Sequence, residues 1–487
     1  MTLGRLWRWH DEPALAAWVA TPVGRVAVWL AALLLVPGPL RIPVALVLAP
    51  TLAWPERRID VLALASLGVL LARVPSPADP LSLALRLATA LFVLGLLFVF
   101  FQAARRFRQL PEAVRRYPFV AVHVVLLGIL AGVVAVRHAL HIEHETPLAV
   151  PLVALQGLMP FLLWRVSYLM LAGRRGTVAK DRFRDHLFYL LPFWGGTQTP
   201  YGKGHGYLMQ RKAVSETDLA TSRLAGIKLL ALAWVWWVAG RALDAWVHAD
   251  TTVGLDWLAA HALGWPRLGD AVGSGPEHYT LAMRWAAVFA GLVANVLDVA
   301  VYGHGVVGVL RLFGFRVFRN TYKPLLSPSV VEFWNRYFYY FKELMVEFFF
   351  YPTYVATAGL GQRTRIFLAI MAAAGAGNLY YHVLRDFGPG MVVDASATWS
   401  PLAARTTYSV VLALGIYVSM LREQARRARK GPPPGVLRQL RAIAGVWIFF
   451  GVLVVWSVAS TRLGFGQRLR YTLGLVGITQ AAQAAHD

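Results

Sequence analysis

Long apolar runs recur along this chain, and nothing constrains its fold more. A run of about 20 apolar residues crosses a bilayer as a helix. The stretch PFVAVHVVLLGILAGVVAV at 118–136 carries no charge apart from whatever His123 holds. Of 487 residues, 57% are hydrophobic and 15% charged, whereas soluble domains carry about 25% charged residues. The alternating segments of roughly 10 residues that mark a β-barrel are absent, and the two halves show no matching repeat of the transporter kind. The sequence therefore predicts an all-α, polytopic helical membrane protein with about 11 transmembrane helices. They are placed at 14–36, 41–54, 60–74, 81–103, 118–136, 147–172, 223–247, 280–312, 365–384, 402–421 and 438–459. The second and third are short and read as tilted, buried or paired as one hairpin.

The charge supports this reading. The formal net charge is +23, which in a soluble chain would suggest nucleic acid. Here the basic residues sit in short loops between apolar runs, where they set orientation and meet anionic headgroups. Arg57 and Arg58, Arg105 to Arg116, Arg174 to Arg184, Arg316 to Lys323 and Arg422 to Lys430 fall on one side of the predicted spans. The loops 75–80, 138–146, 248–279 and 385–401 alternate with them and are poor in Lys and Arg. The expectation is a cell (inner) membrane protein with a cytoplasmic N-terminus, an outer C-terminal tail and no nucleic-acid partner. There are no cysteines, which excludes disulfides, thiolate metal sites and a cysteine nucleophile. The N-terminal stretch has no small-residue cleavage site after a short apolar core and does not read as a cleaved signal peptide.

Three consecutive parts are expected: helices over 1–172, a core with re-entrant or interfacial segments over 173–390, and helices with a tail over 391–487. Within the core, 173–222 has a short apolar centre followed by glycines, prolines and polar residues, suggesting irregular backbone. The outer loop 248–279 reads as a lid. GPPPG at 431–435 reads as a turn or stiff linker.

Chemistry concentrates in Ser327–Pro352, SPSVVEFWNRYFYYFKELMVEFFFYP, and in GAGNLYYHVLRD at 375–386. The first stretch is too aromatic and too charged for a lipid-facing helix. Two readings stand: an amphipathic interfacial helix with an aromatic belt, or the wall of a channel for an amphiphilic ligand. Ser327 or Ser329 ahead of Glu332, with Pro328, signals a helix start. In the second stretch Asn378 and His382 share a helical face, as do His382 and Asp386. His382 is either an interfacial histidine with hydrogen-bonding neighbours or a general base oriented by a carboxylate.

These residues resemble the membrane-bound O-acyltransferase (MBOAT) family, in particular its alginate O-acetyltransferase and D-alanyl transfer branch. Lys323-Pro324 fits the lead-in of that branch's motif, and Ser329-Val330-Val331-Glu332-Phe333-Trp334-Asn335-Arg336 its body. Glu347 and Pro352 fit its close, and His382 stands where the membrane-embedded histidine is expected. The chain departs at Tyr337 and Phe338, where that branch usually has Trp and His, and at GNLYYH, which replaces the commoner Gly-Leu-Trp-His. The motif lies within 322–382, the wider resemblance within 180–390, and it marks a divergent member.

The resemblance implies a central tunnel in which an acyl group passes from a cytoplasmic thioester, acyl-CoA or similar, to a hydroxyl of a lipid, glycan or exported molecule. His382 and Asn335 would be catalytic. Trp334, Arg336, Lys342, Glu347 and Asn378 would bind substrate, with Arg336 and Lys342 holding the donor's phosphates. No metal and no cofactor beyond the thioester co-substrate is implied. The implied partners are the donor, the acceptor, membrane lipid and exported-glycan machinery. A transporter or flippase, and a non-catalytic family member, are the alternatives.

Asn295, Asp298 and His304 lie on the span 280–312, where Asp298 is expected to pair with Arg241 on 223–247, the alternative being that it lines the tunnel. His138, His141, Glu143, His144 and Glu145 have metal-ligand types but no metal-site spacing, and read as a solvated loop. Gly195-Gly196-Thr197 and Gly202 to Gly206 lack the strand-to-helix context of a phosphate loop.

Overall fold

A computed structural model describes residues 9–73, 80–142, 146, 148–196, 199–387, 395–428, 435–458 and 463–478. Among them the regular structure is helical and no β-strand occurs. Eight helices are long and apolar enough to cross a membrane: Leu83–Arg105, Pro118–Ala139, Pro151–Arg174, Glu216–His248, Leu281–Leu312, Gln362–Arg385, Ser400–Arg426 and Val436–Ser457. The chain is a multi-pass helical membrane protein.

The three N-terminal spans expected from sequence come out differently. Residues 14–36 form two helices, Pro13–Ala20 and Pro22–Leu35, bent by 95°. Pro22 forces Thr21 into an extended conformation (φ −69°, ψ 159°). The Thr21 hydroxyl then caps the second helix by accepting from the Gly24 N–H at 3.1 Å. Arg41–Ala53 has 13 residues and Arg58–Arg73 has 16. At 1.5 Å per residue they reach roughly 20 and 24 Å, short of the ~30 Å hydrocarbon core.

The chain divides into two compact units, each built from non-consecutive stretches. One comprises Met1–Leu232, His304–Phe318 and Leu384–Met391, the other Ala233–Gly303, Arg319–Val383 and Val392–Asp487. In the first, small residues let helices touch. A Cβ on Gly226 would lie 2.8 Å from the Gly308 carbonyl oxygen, and one on Gly173 2.4 Å from that of Ala104. Such glycine contacts suit helices that pack without a hydrophobic drive between them.

The irregular backbone expected in 173–222 is present. Between the helices Phe183–Leu190 and His205–Gln210 the described residues form no helix or strand, and Gly195, Gly196, Gly202, Lys203 and Gly204 have positive φ. The fully buried Arg165 holds it, donating to the carbonyls of Tyr189 at 2.5 Å and Gly196 at 2.7 Å. The rings of Phe161 and Tyr189 lie 5.1 and 4.9 Å from its guanidinium carbon.

In the second unit the loop expected to act as a lid is pinned down instead. Leu268, Ala271 and Val272 are buried in a core with Val454, Val455 and Tyr471. Arg267 is bound by Asp244 and Asp250, and Trp265 offers its carbonyl to His248 at 2.9 Å. The GPPPG turn falls mostly outside the described residues.

The glycine crossing gives a test. Gly226→Ala should cost about 1–3 kcal/mol, because the added methyl meets backbone that has no room to yield. Gly305→Ala, where a Cβ meets nothing within 4 Å, should be neutral or stabilising through helix propensity. Thermal unfolding in detergent separates the two.

Candidate functional site

The Ser327–Pro352 stretch folds as a broken helix. Ser329 is the N-cap, its hydroxyl accepting from the Glu332 N–H at 3.1 Å, as the sequence signal indicated. The helix Val330–Tyr337 ends at Phe338 (φ −141°, ψ 80°), and Tyr339–Met345 follows. The break frees backbone groups, which the irregular segment at 320–322 satisfies. Tyr322 N–H donates to the Arg336 carbonyl at 2.8 Å, and Thr321 hydroxyl to that of Tyr337 at 3.0 Å. Tyr339 N–H donates to the Asn320 carbonyl at 2.9 Å. Asn320 is itself buried against Gly303, where a Cβ would come within 2.6 Å of its amide.

The motif helix is anchored to two spans. Phe333 stacks on Phe450 with ring centroids 3.7 Å apart. The Val331 N–H donates to the Ser419 hydroxyl at 3.3 Å, and the Trp447 indole to the Leu325 carbonyl at 2.8 Å.

Two π-helical turns then meet. Val346–Phe350 is one, in the motif stretch, and Met371–Gly377 the other, in the span that carries His382. Such turns widen a helix locally and are frequent at functional sites. Their contact depends on Gly377, where a Cβ would lie 2.7 Å from the Phe349 ring. Asn378 and His382 follow directly on the helix Asn378–Phe387. Phe341 links the two stretches. Its ring lies 4.7 Å from Tyr381, 5.8 Å from Trp334 and 6.4 Å from His382.

Asn378 is 0% exposed, and among the described residues neither its amide nitrogen nor its amide oxygen has a hydrogen-bond partner. A buried amide normally has one. His382, one turn on, is half-buried, with the Tyr408 ring 6.4 Å away. Tyr408 and Asp298 both act electrostatically on the Tyr337 hydroxyl. Burial first, then these two groups, raise its pKa, so it stays protonated. It points at the Asn295 carbonyl at 3.5 Å. His382, Tyr408, Tyr337 and Asp298 thus form a loose polar series that the sequence did not suggest. Tyr337 had registered only as a departure from a motif, and Tyr408 comes from a distant span.

The other expected residues are placed less centrally. Asn335 is exposed, and its side chain makes no hydrogen bond to a described residue. Trp334 is half-buried against the core around Phe333. Arg336 is ion-paired with Glu332 and Lys342 with Glu343, so each cation already has a carboxylate. Glu347 is half-buried in the first π turn. The expected Asp298–Arg241 pair is absent: Arg241 donates to the Val253 carbonyl and lies 4.8 Å from the Trp237 ring. The Arg241 guanidinium is taken up by that carbonyl and ring, whereas the charge acting on Asp298 is the carboxylate of Asp244. The side chain of Asp386, and Glu143, His144 and Glu145 of the outer His/Glu loop, lie outside the described residues. Among the described residues the group able to hold a metal is Asp181, His186 and His205, in the first unit.

No protein-family model matches this chain, and no curated protein matches it. Fold and site together define a multi-pass helical membrane protein with a partly buried histidine beside an unpartnered amide.

Replacing Asn378 by Leu tests whether the amide serves the fold. An unpartnered buried amide gives up little when an apolar group of similar size replaces it. Asn378→Leu should leave the melting temperature in detergent unchanged or raised, and a fall of several degrees would mean that the amide is satisfied within the protein.

Proposed function

We propose that this protein is a membrane-embedded O-acyltransferase, a divergent relative of the membrane-bound O-acyltransferases, moving an acyl group from a cytoplasmic thioester to a hydroxyl of a lipid, glycan or exported molecule. The observation that carries the reading is the Asn378–His382 pair: an unpartnered buried amide one turn before a histidine, at a π turn packed on the motif stretch. His382 takes the proton of the acceptor hydroxyl as its oxygen attacks the thioester carbonyl. The C–O bond forms, the C–S bond breaks, and the imidazolium returns its proton to the departing thiolate. Asn378 donates to the carbonyl oxygen as charge builds there. Asn335, being exposed, takes at most a positioning part at the channel mouth.

The protein would lie in the cell (inner) membrane with its N-terminus and basic loops in the cytoplasm, around a central tunnel. The 11 membrane helices would be the 8 long ones, the bent pair counted as 1, and the 2 short helices Arg41–Ala53 and Arg58–Arg73, tilted or paired where they fall short of the full thickness. A second reading, translocation of a solute or lipid, draws on Asn295, Asp298 and Tyr302, which are exposed along one face of Leu281–Leu312.

His382→Gln should lower acyl transfer by about 10²–10⁴-fold, read as thiol release from acyl-CoA by purified protein supplied with membrane lipid or glycan acceptors. Wild-type turnover in that variant would sink the assignment. Substrate flux into proteoliposomes without any acyl donor would favour translocation.

A further inference from the structure

Three metal-ligating side chains meet in the first unit, away from the proposed acyl-transfer residues in sequence and in role. Asp181 follows the span Pro151–Arg174, His186 lies on the helix Phe183–Leu190, and His205 opens His205–Gln210. Asp181 Oδ2 is 2.9 Å from His186 Nε2 and 3.6 Å from His205 Nδ1. One ligand atom from each residue falls within 4.8 Å of the other two. The imidazole rings lie face to face, with centroids 3.9 Å apart and a tilt of 32°.

The chain fixes this arrangement firmly. Gly202, Lys203 and Gly204 all have positive φ, at 87°, 50° and 108°, immediately before His205. Positive φ is unfavourable for lysine, and three in succession persist only where the surroundings impose them. Those surroundings are Leu208 and Tyr168, which a Cβ on Gly202 or Gly204 would approach to 2.7 and 3.4 Å. Between the two histidines, Arg165 binds the carbonyls of Tyr189 and Gly196. The Asp185 backbone carbonyl stands beside the His205 ring.

The chemistry of the group is specific. His186 is 1% and His205 8% exposed, with Phe101 5.2 Å from the first ring and Phe188 6.0 Å from the second. Two buried imidazoles therefore share one carboxylate oxygen, fewer partners than such groups usually have. A cation between them would satisfy all three. Two nitrogens and one oxygen suit zinc and its neighbours, whereas calcium and magnesium prefer oxygen alone. Asp181 is 30% exposed on its side chain, which leaves a route in from solvent.

We propose that Asp181, His186 and His205 bind a divalent transition metal of the zinc class, with a fourth position open to water or an exchangeable ligand. Three protein ligands plus one open position is the pattern of a zinc site able to exchange a ligand. The site would tie the Gly202–Gly204 turn to the helix Phe183–Leu190, independently of the acyl-transfer reading.

The test uses the full chain in detergent, with any affinity tag removed, stripped by chelator and dialysed. Co²⁺ is titrated with visible absorption as the readout, and Zn²⁺ then competes it off. One equivalent should bind, and His205→Ala and Asp181→Asn should each weaken it by at least about 100-fold while gel filtration stays unchanged. Asp181→Asn guards against misfolding, since its side chain reaches the surface. No Co²⁺ signal at one equivalent, or unchanged affinity in Asp181→Asn, would overturn the proposal.

Discussion

Backbone N–H and C=O groups freed inside a membrane protein have to be met by protein, because hydrocarbon offers them nothing. Each unit of this chain meets that demand in its own way, and its most distinctive residues follow from how it does so. In the first, Arg165 bridges two carbonyls of the irregular segment after Phe183–Leu190. A buried guanidinium is costly alone, but here its charge faces carbonyl oxygens and aromatic rings. In the second, the helix break at Phe338 is tolerated because 320–322 supplies the missing donors and acceptors. Gly303 leaves room for Asn320 to do so.

That constraint also positions the candidate site. The break at Phe338 turns the motif stretch so that Phe341 meets Tyr381. The following π turn carries Phe349 onto Gly377. Asn378 then falls where its amide is buried with no partner among the described residues, and His382 lies one turn beyond. A fold that had only to be stable would fill that place with a leucine. The amide, like the buried hydroxyls of Ser327 and Ser409, is a polar group that packing among the described residues leaves unpaired, and a polar substrate group is what the proposed chemistry would bring to it.

Much of the fold was legible in the sequence, for simple reasons. The eight long helices stand out because apolar length is a strong local signal. The Ser329 cap was readable because Ser followed three residues later by Glu marks a helix start. The bend at Thr21-Pro22 was missed, although proline restricts the residue before it, because hydropathy runs unbroken across it. The π turns, the Asn320 stitch and the polar series through Tyr337 and Tyr408 depend on contacts distant in sequence. So does the Asp181–His186–His205 group, whose last member lies 19 residues after His186 beyond a loop of irregular backbone. The expected Asp298–Arg241 pair failed because residue type alone does not fix which partner a long side chain reaches, and Arg241 takes the Val253 carbonyl.

The central claim is that an acyl thioester reaches the Asn378–His382 pair. Its most direct measurement is a cryo-electron microscopy structure of the protein with a non-hydrolysable thioether analogue of acyl-CoA. The account predicts ligand density whose carbonyl oxygen lies within hydrogen-bonding reach of the Asn378 amide, about 3 Å, with the reactive carbon beside His382. Density for the analogue lodged elsewhere, with Asn378 enclosed by protein alone, would contradict it.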